Sequence, residues 1–127
     1  MNILDLYKKL NQEQLTRWNR SLPIQDTLDD RWKRAKLLGF GENASIYNSS
    51  YVFGEVEVGK NTWIGPNVIL DGMAEKIKIG DFCSISSGVQ IYTHDSIKWA
   101  LTGGKFIYKK KKTIIGSRNH IGSLSVI

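Results

Sequence analysis

The spacing of apolar positions changes once along the chain. In "ILDLYKKLNQEQLTRW", residues Ile3, Leu6, Tyr7, Leu10 and Trp18 recur at roughly helical intervals, which predicts a first helix. Pro23 in "SLPIQ" interrupts it. A second helix is predicted from Asp26 or Thr27, either of which can cap a first turn, through "LDDRWKRAKLL". Asp29 and Asp30 lie early in it and basic residues late, as the helix dipole prefers, and Gly39 ends it. Trp18 and Trp32 are expected to pack the helices.

From Phe40 the helical spacing disappears. Aliphatic or aromatic residues recur every six positions at Phe40, Ile46, Val52, Val58, Ile64 and Leu70. The count then slips by three residues at "LDG" and resumes at Met73, Ile79, Ile85, Ile91 and Ile97; Ile115, Ile121 and Ile127 continue it. The next position is often tiny, as at Gly41, Gly59, Gly65, Ala74, Gly80, Gly116 and Gly122. The fifth position is small or β-branched, as at Ala44, Ser50, Val56, Thr62, Val68, Ile77, Cys83, Val89 and Ser125. This pattern, [LIV]-G-x-x-[STAV]-x, is a hexapeptide repeat, in which no unit buries its own apolar face and stacking does. It predicts a mainly β fold, a left-handed parallel β-helix over residues 39–127, preceded by two N-terminal α-helices in a segment spanning 1–38. Cys83 falls at an inward position and reads as a small buried hydrophobe. Tyr51, Trp63 and Ile69 fall at the outward sixth place, where they could meet a neighbouring chain.

The pattern fails within "IYTHDS". Its inward fifth place holds Asp95, and a bare carboxylate is costly in an apolar interior. The backbone is therefore expected to leave the regular path by His94 or Asp95. "KWALTGGKFIYKKKK", residues 98–112, fits no repeat, yet the count resumes in phase at Ile115. This predicts an extruded loop with His94 at its root, and long loops set into a regular scaffold tend to carry function.

Length and composition narrow the classes. At 127 residues the chain suits one domain, and its single cysteine excludes an internal disulfide. No apolar run reaches the roughly 18 residues that span a bilayer, and the N-terminus turns polar too soon for a signal peptide. The expectation is a cytoplasmic protein without a membrane span. The formal net charge of +6 suits anionic partners. The run Lys109-Lys110-Lys111-Lys112 reads first as a solvated loop; contact with CoA phosphates, or with an anionic polymer aided by Phe106 and Tyr108, is a weaker alternative. No nucleic-acid motif is present.

The repeats, the histidine of "THD", the loop and the resumed "IIGSRNHIGS" together resemble the hexapeptide-repeat acyltransferases. These include galactoside, maltose and xenobiotic acetyltransferases and many polysaccharide O-acetyltransferases. The resemblance covers about Phe40 to Ile127. It implies a homotrimer with sites between adjacent chains, acetyl-CoA as acyl donor, no metal, and a sugar or polysaccharide precursor as acceptor for O- or N-acetylation. His94 matches the family base by position. An imidazole suits the step, because a thioester is already activated and lacks only a base near neutral pH. Asn67 and Asp71 in "PNVILDG" resemble acceptor contacts; Asn67 reads equally as a turn residue, and Asp71 as a support for the three-residue insertion. Tyr92 and Trp99 could offer aromatic faces to a sugar. His120 stands where several family members carry a tryptophan, although an ordinary outward position fits it as well. Residues binding CoA stay unassigned, with His120 and Ser123 as candidates. The γ-class carbonic anhydrases share the predicted fold, but they need three histidines for zinc and this chain has two. Family members usually continue through further repeats that form much of the CoA groove, whereas this chain stops at Ile127 within a unit, as a truncated form would. The alternative reading is a non-catalytic β-helix scaffold or assembly protein without a complete CoA site.

Overall fold

Two helices open the chain, each started by a side-chain cap. In the computed structural model, which describes residues Met1–Ile127, α1 spans Ile3–Trp18 and Asn2 accepts the Asp5 backbone N–H at 2.9 Å. It ends at Asn19 in the left-handed region, φ 51°. The second helix begins later than its sequence suggests. Asp26 belongs to a single 3₁₀ turn, Ile24–Asp26, and α2 spans Arg31–Leu37 behind the cap Asp30, whose carboxylate accepts from the N–H groups of Trp32 and Lys33. Gly39, at φ +76°, closes α2: its N–H reaches Lys36 and the next N–H, of Phe40, reaches Ala35.

Neither tryptophan packs the helices together, contrary to expectation. No residue of α1 is buried, Trp18 is 61% exposed and Trp32 47% exposed. Arginine guanidinium groups lie near their rings instead, Arg31 at 4.3 Å from Trp32 and Arg17 and Arg20 at 5.7 and 6.0 Å from Trp18, and much of each indole stays open to solvent. What fastens α2 is Ala35, buried in the core, and Arg34, which donates to the carbonyls of Tyr47 and Ser50. Burial lowers the Arg34 pKa from its ordinary value, with Asp26 acting in the opposite direction.

The remainder is built from ten short strands: β1 Ser45–Ile46, β2 Tyr51–Val58, β3 Trp63–Ile64, β4 Ile69–Ile79, β5 Ser84–Ile85, β6 Gln90–Ile91, β7 His94–Asp95, β8 Lys109–Lys110, β9 Thr113–Ile115 and β10 His120–Ile121. A third helix, α3, spans Ile97–Leu101. One parallel sheet runs β1-β3-β5-β10; a second runs β2-β4-β6, with β9 also paired to β4. The registers place repeat positions side by side: Ile46 opposite Ile64, Ile64 opposite Ile85, Leu70 opposite Ile91, and Ile79 opposite Ile115. Ile46, Ile64, Leu70, Ile85 and Ile91 are fully buried and form the core with Val68, Val89 and Cys83.

The fold class predicted from the repeat is not the one observed. The structure shows no left-handed β-helix; it shows an α/β chain, 24% helix and 29% strand, with three helices and short parallel sheets. The reason lies in what a six-residue period encodes. It fixes which side chains are buried and how often, and so it fixes the aliphatic registers. It says nothing of the chain spent in helices, and a unit of six leaves most strands only two residues long.

Three positions of the six-residue count, Met73, Ile97 and Ile127, are exposed rather than inward. Met73 was expected inward but is 71% exposed. Between β2 and β4 the register shifts, from Gly54 opposite Gly72 to Val56 opposite Ile77. The three-residue slip is thus a bulge that pushes Met73, Ala74 and Glu75 out of the ladder and gives the inward place to Ile77. Gly54 (φ +67°) is required there, because a Cβ would lie 2.4 Å from the Gly72 carbonyl oxygen. Lys76 pins the bulge across the sheet to Glu57, and their hydrogen bond holds the Glu57 carboxyl below and the Lys76 ammonium above their ordinary pKa values. Ile97 was counted as a repeat position but is 63% exposed, as the first residue of α3.

Candidate functional site around His94

The chain leaves its parallel ladders at Thr93, and the departure is anchored from both sides. The Thr93 hydroxyl donates to the Asp71 carbonyl at 2.9 Å and accepts the Glu75 N–H at 3.2 Å, so it ties the bulge to the loop root. The returning strand is fixed by the Lys111 N–H to the Thr93 carbonyl, 3.0 Å, and by the Thr113 hydroxyl to the Tyr92 carbonyl, 2.9 Å. Segment 98–112 is therefore not structureless. It contains most of α3 and the strand β8, and it closes on β7 as an antiparallel pair, His94 opposite Lys110 and Asp95 opposite Lys109. Asp95 avoids the interior entirely: it is exposed and accepts the Ile97 N–H at 2.8 Å, which turns the chain into α3.

This closure builds a pocket of about 390 Å³ lined by Phe53, Asp71, Met73, Ala74, His94, Tyr108 and Lys110. Each wall has a distinct origin. Phe53 comes from β2, Asp71, Met73 and Ala74 from β4 at and beside the bulge, and Tyr108 and Lys110 from the returning arm. His94 stands between them. Its Nδ1 lies 3.9 Å from Asp71 Oδ2, within reach for attraction between a carboxylate and a protonated imidazole. The other Asp71 oxygen, Oδ1, accepts the Met73 N–H at 3.2 Å and so orients the carboxylate. The Asp71 side chain is 18% exposed and that of His94 32%: the imidazole is accessible and its neighbour largely covered.

Aromatic rings hold the imidazole on two sides. Tyr92 presents its edge at 6.2 Å, and its hydroxyl is fixed to Gln90 Oε1 at 2.7 Å. Tyr108 is tilted against His94 at 6.0 Å, and Trp99 backs Tyr108 at 5.6 Å. Of the residues singled out by sequence, His94 and Asp71 thus line one pocket, while Tyr92 and Trp99 support it from outside its lining. Asn67 does not line it; it occupies the turn between β3 and β4 at φ 57°. His120 pairs with Ser84 in β10, and Ser123 lies in an exposed turn, neither of them at this pocket. Phe53, Met73 and Ala74 are not legible as site residues in the sequence; Lys110 figures there only within the lysine run, as a weaker candidate for anion contact, and Tyr108 only as its neighbour. The three-residue slip was the visible signal for Met73 and Ala74. No three His, Cys, Asp or Glu side chains are grouped to hold a metal ion, and no helix is long and apolar enough to cross a membrane.

The pocket can support one kind of chemistry well. It sets an accessible imidazole beside an oriented carboxylate, an amphipathic wall and one ammonium group, which suits proton removal from a hydroxyl or amine. Compared with known protein families and with curated proteins, the chain matches none.

Proposed function

We propose that the protein is a CoA-dependent acyltransferase, most simply an acetyltransferase, that acylates a hydroxyl or amine of a sugar or polysaccharide precursor. The observation that carries this reading is the placing of His94 at the root of the loop, in a pocket with Asp71, Tyr108 and Lys110. In the proposed step, His94 takes the proton from the acceptor as its oxygen or nitrogen attacks the thioester carbonyl. The tetrahedral intermediate then collapses, the C–S bond breaks, and the CoA thiolate leaves with the proton returned by the imidazolium. Asp71 orients the imidazole, and the rings of Phe53 and Tyr108 offer flat apolar faces to a sugar ring. Lys110 supplies a cation for an anionic part of either substrate. The resemblance in the repeats and in "THD" adds acetyl-CoA as the donor, and a cytoplasmic setting is where acetyl-CoA is at hand.

A homotrimer belongs to the same proposal. The chain exposes 8395 Å², whereas a compact monomer of 14.4 kDa would expose about 6,800 Å². Tyr51 and Phe53, stacked at 5.9 Å and both exposed, form part of the surface that a neighbouring copy would cover.

Calorimetric titration with acetyl-CoA tests the donor half. Binding with a Kd below about 1 mM, the upper end of ordinary substrate affinities, is expected. No heat at that concentration would leave a non-catalytic scaffold as the better reading.

A further inference from the structure

A second cavity lies far from His94 in lining and in chemistry. It is a cleft of about 390 Å³ between the end of α1, the 3₁₀ turn and the start of α2, and it shares no residue with the His94 pocket. Four cationic side chains line it: Arg17, Arg20, Arg31 and Lys33. None of them has a carboxylate within ion-pair distance, the chain's ion pairs being confined to Lys76 and His94. Arg31 is bound through one terminal nitrogen to the Tyr47 hydroxyl at 2.7 Å, but its Nε is buried with no hydrogen-bond partner. A buried donor left unmade is costly.

Three aspartates also line the cleft, and each is engaged by backbone. Asp26 accepts from the Ser49 N–H, Asp29 from the Asp30 N–H, and Asp30 from the N–H groups of Trp32 and Lys33. The carboxylates serve as caps and turn supports; Arg20 gives its Nε to Gln14 Oε1 at 2.8 Å and keeps its terminal nitrogens, and the four cations outnumber the three aspartates by one. The remaining feature is aromatic. Trp18 and Trp32 border the cleft with 61% and 47% of their surface exposed, an unusual cost for two large apolar rings in one place.

We infer that this cleft binds a nucleoside phosphate: the guanidinium donors hold the phosphate oxygens and an exposed indole stacks on the base. Arginine matches phosphate by its planar fork of donors, and aromatic faces accept a base of any sequence. The cavity has the size of ordinary small-molecule sites. The shared chemistry, phosphate joined to a planar ring, is common to a free nucleotide and a nucleotide-linked sugar. The inference does not rest on acyl transfer at His94, so each can fail without the other.

Calorimetry with ADP, UDP, inorganic phosphate and galactose, at low salt, tests it. ADP or UDP is expected to bind at least about tenfold more tightly than phosphate alone, since a stacked base adds roughly 1–3 kcal/mol. Galactose is expected not to bind. Trp18→Ala and Arg17→Gln, both at exposed positions of a helix that buries nothing, should each weaken the nucleotide about tenfold or more while circular dichroism stays unchanged. His94→Ala should leave nucleotide binding as it was and serves as the control. A nucleotide arm that depends on His94, and so belongs to the other pocket, would overturn the inference. So would absence of nucleotide binding, phosphate or galactose binding as tightly as nucleotide, or affinity unaffected by both cleft variants.

Discussion

His94 owes its position to its neighbours rather than to its own backbone preference. Thr93, at 3% exposure, ties the loop root to β4, and Tyr92 and Tyr108 limit the imidazole on two sides. Asp71 is the one carboxylate in the pocket, and it divides its work, with Oδ1 bracing the bulge and Oδ2 facing His94. Asp71→Asn keeps an acceptor for the Met73 N–H and removes the charge. Turnover is expected to fall about tenfold or more, as for other outer partners of a working histidine, and the pH profile of kcat/KM to move. A fall in melting temperature with an unmoved pH profile would assign Asp71 a purely structural part. Cys83 illustrates the opposite case, a residue whose chemistry is silenced by packing. It is 2% exposed and its thiol points at the Gly116 carbonyl, 3.1 Å away.

At the scale of elements, the bulge in β4 and the hairpin of β7 with β8 depend on each other, because Thr93 bonds to both. Thr93→Val preserves shape and deletes the hydroxyl, so the part-buried Glu75 N–H and Asp71 carbonyl lose their partner. A loss of about 1–3 kcal/mol in unfolding free energy is expected in denaturant titration, together with lower turnover as the pocket loosens. An unchanged midpoint would mean that the hydroxyl bonds carry no weight. The sequence made some of this legible. The six-residue period reached the correct buried aliphatics, from Ile46 to Ile91, because each of them must find an apolar partner in register. The slip at "LDG" marked the bulge, and the carboxylate of Asp95 marked the exit. What stayed hidden followed from ambiguous chemistry. Met73 and Ile77 both fall at inward places of the repeat, and the pairing with β2 buries Ile77 but not Met73. The helix α3 has five residues, too few to show a period. Tyr108 and Lys110 reach His94 through a ladder of two residue pairs, which leaves no local trace in composition. The handed, mainly β architecture failed for a related reason: a period constrains spacing, and spacing does not determine class.

At the scale of the molecule, the excess of exposed surface and the exposed rings of Tyr51, Phe53 and Tyr108 are what support the proposed homotrimer. Sedimentation equilibrium is expected to return three times 14.4 kDa. A monomer at micromolar concentration would remove intersubunit sites from the account. The two cavities, one holding an imidazole beside a carboxylate and one lined by arginines, share no residue, so the two proposals can be tested separately.

The central claim is that His94 abstracts the acceptor proton during acyl transfer, and it is tested most directly by the rate of CoA thiol release from acetyl-CoA with a sugar acceptor, wild type against His94→Ala. The account predicts a fall of roughly 10²–10⁴ in kcat, the range for a lost general base, with acetyl-CoA affinity within about twofold of wild type, as expected for a residue that acts in the transition state rather than in binding. Release at an undiminished rate in His94→Ala would contradict it.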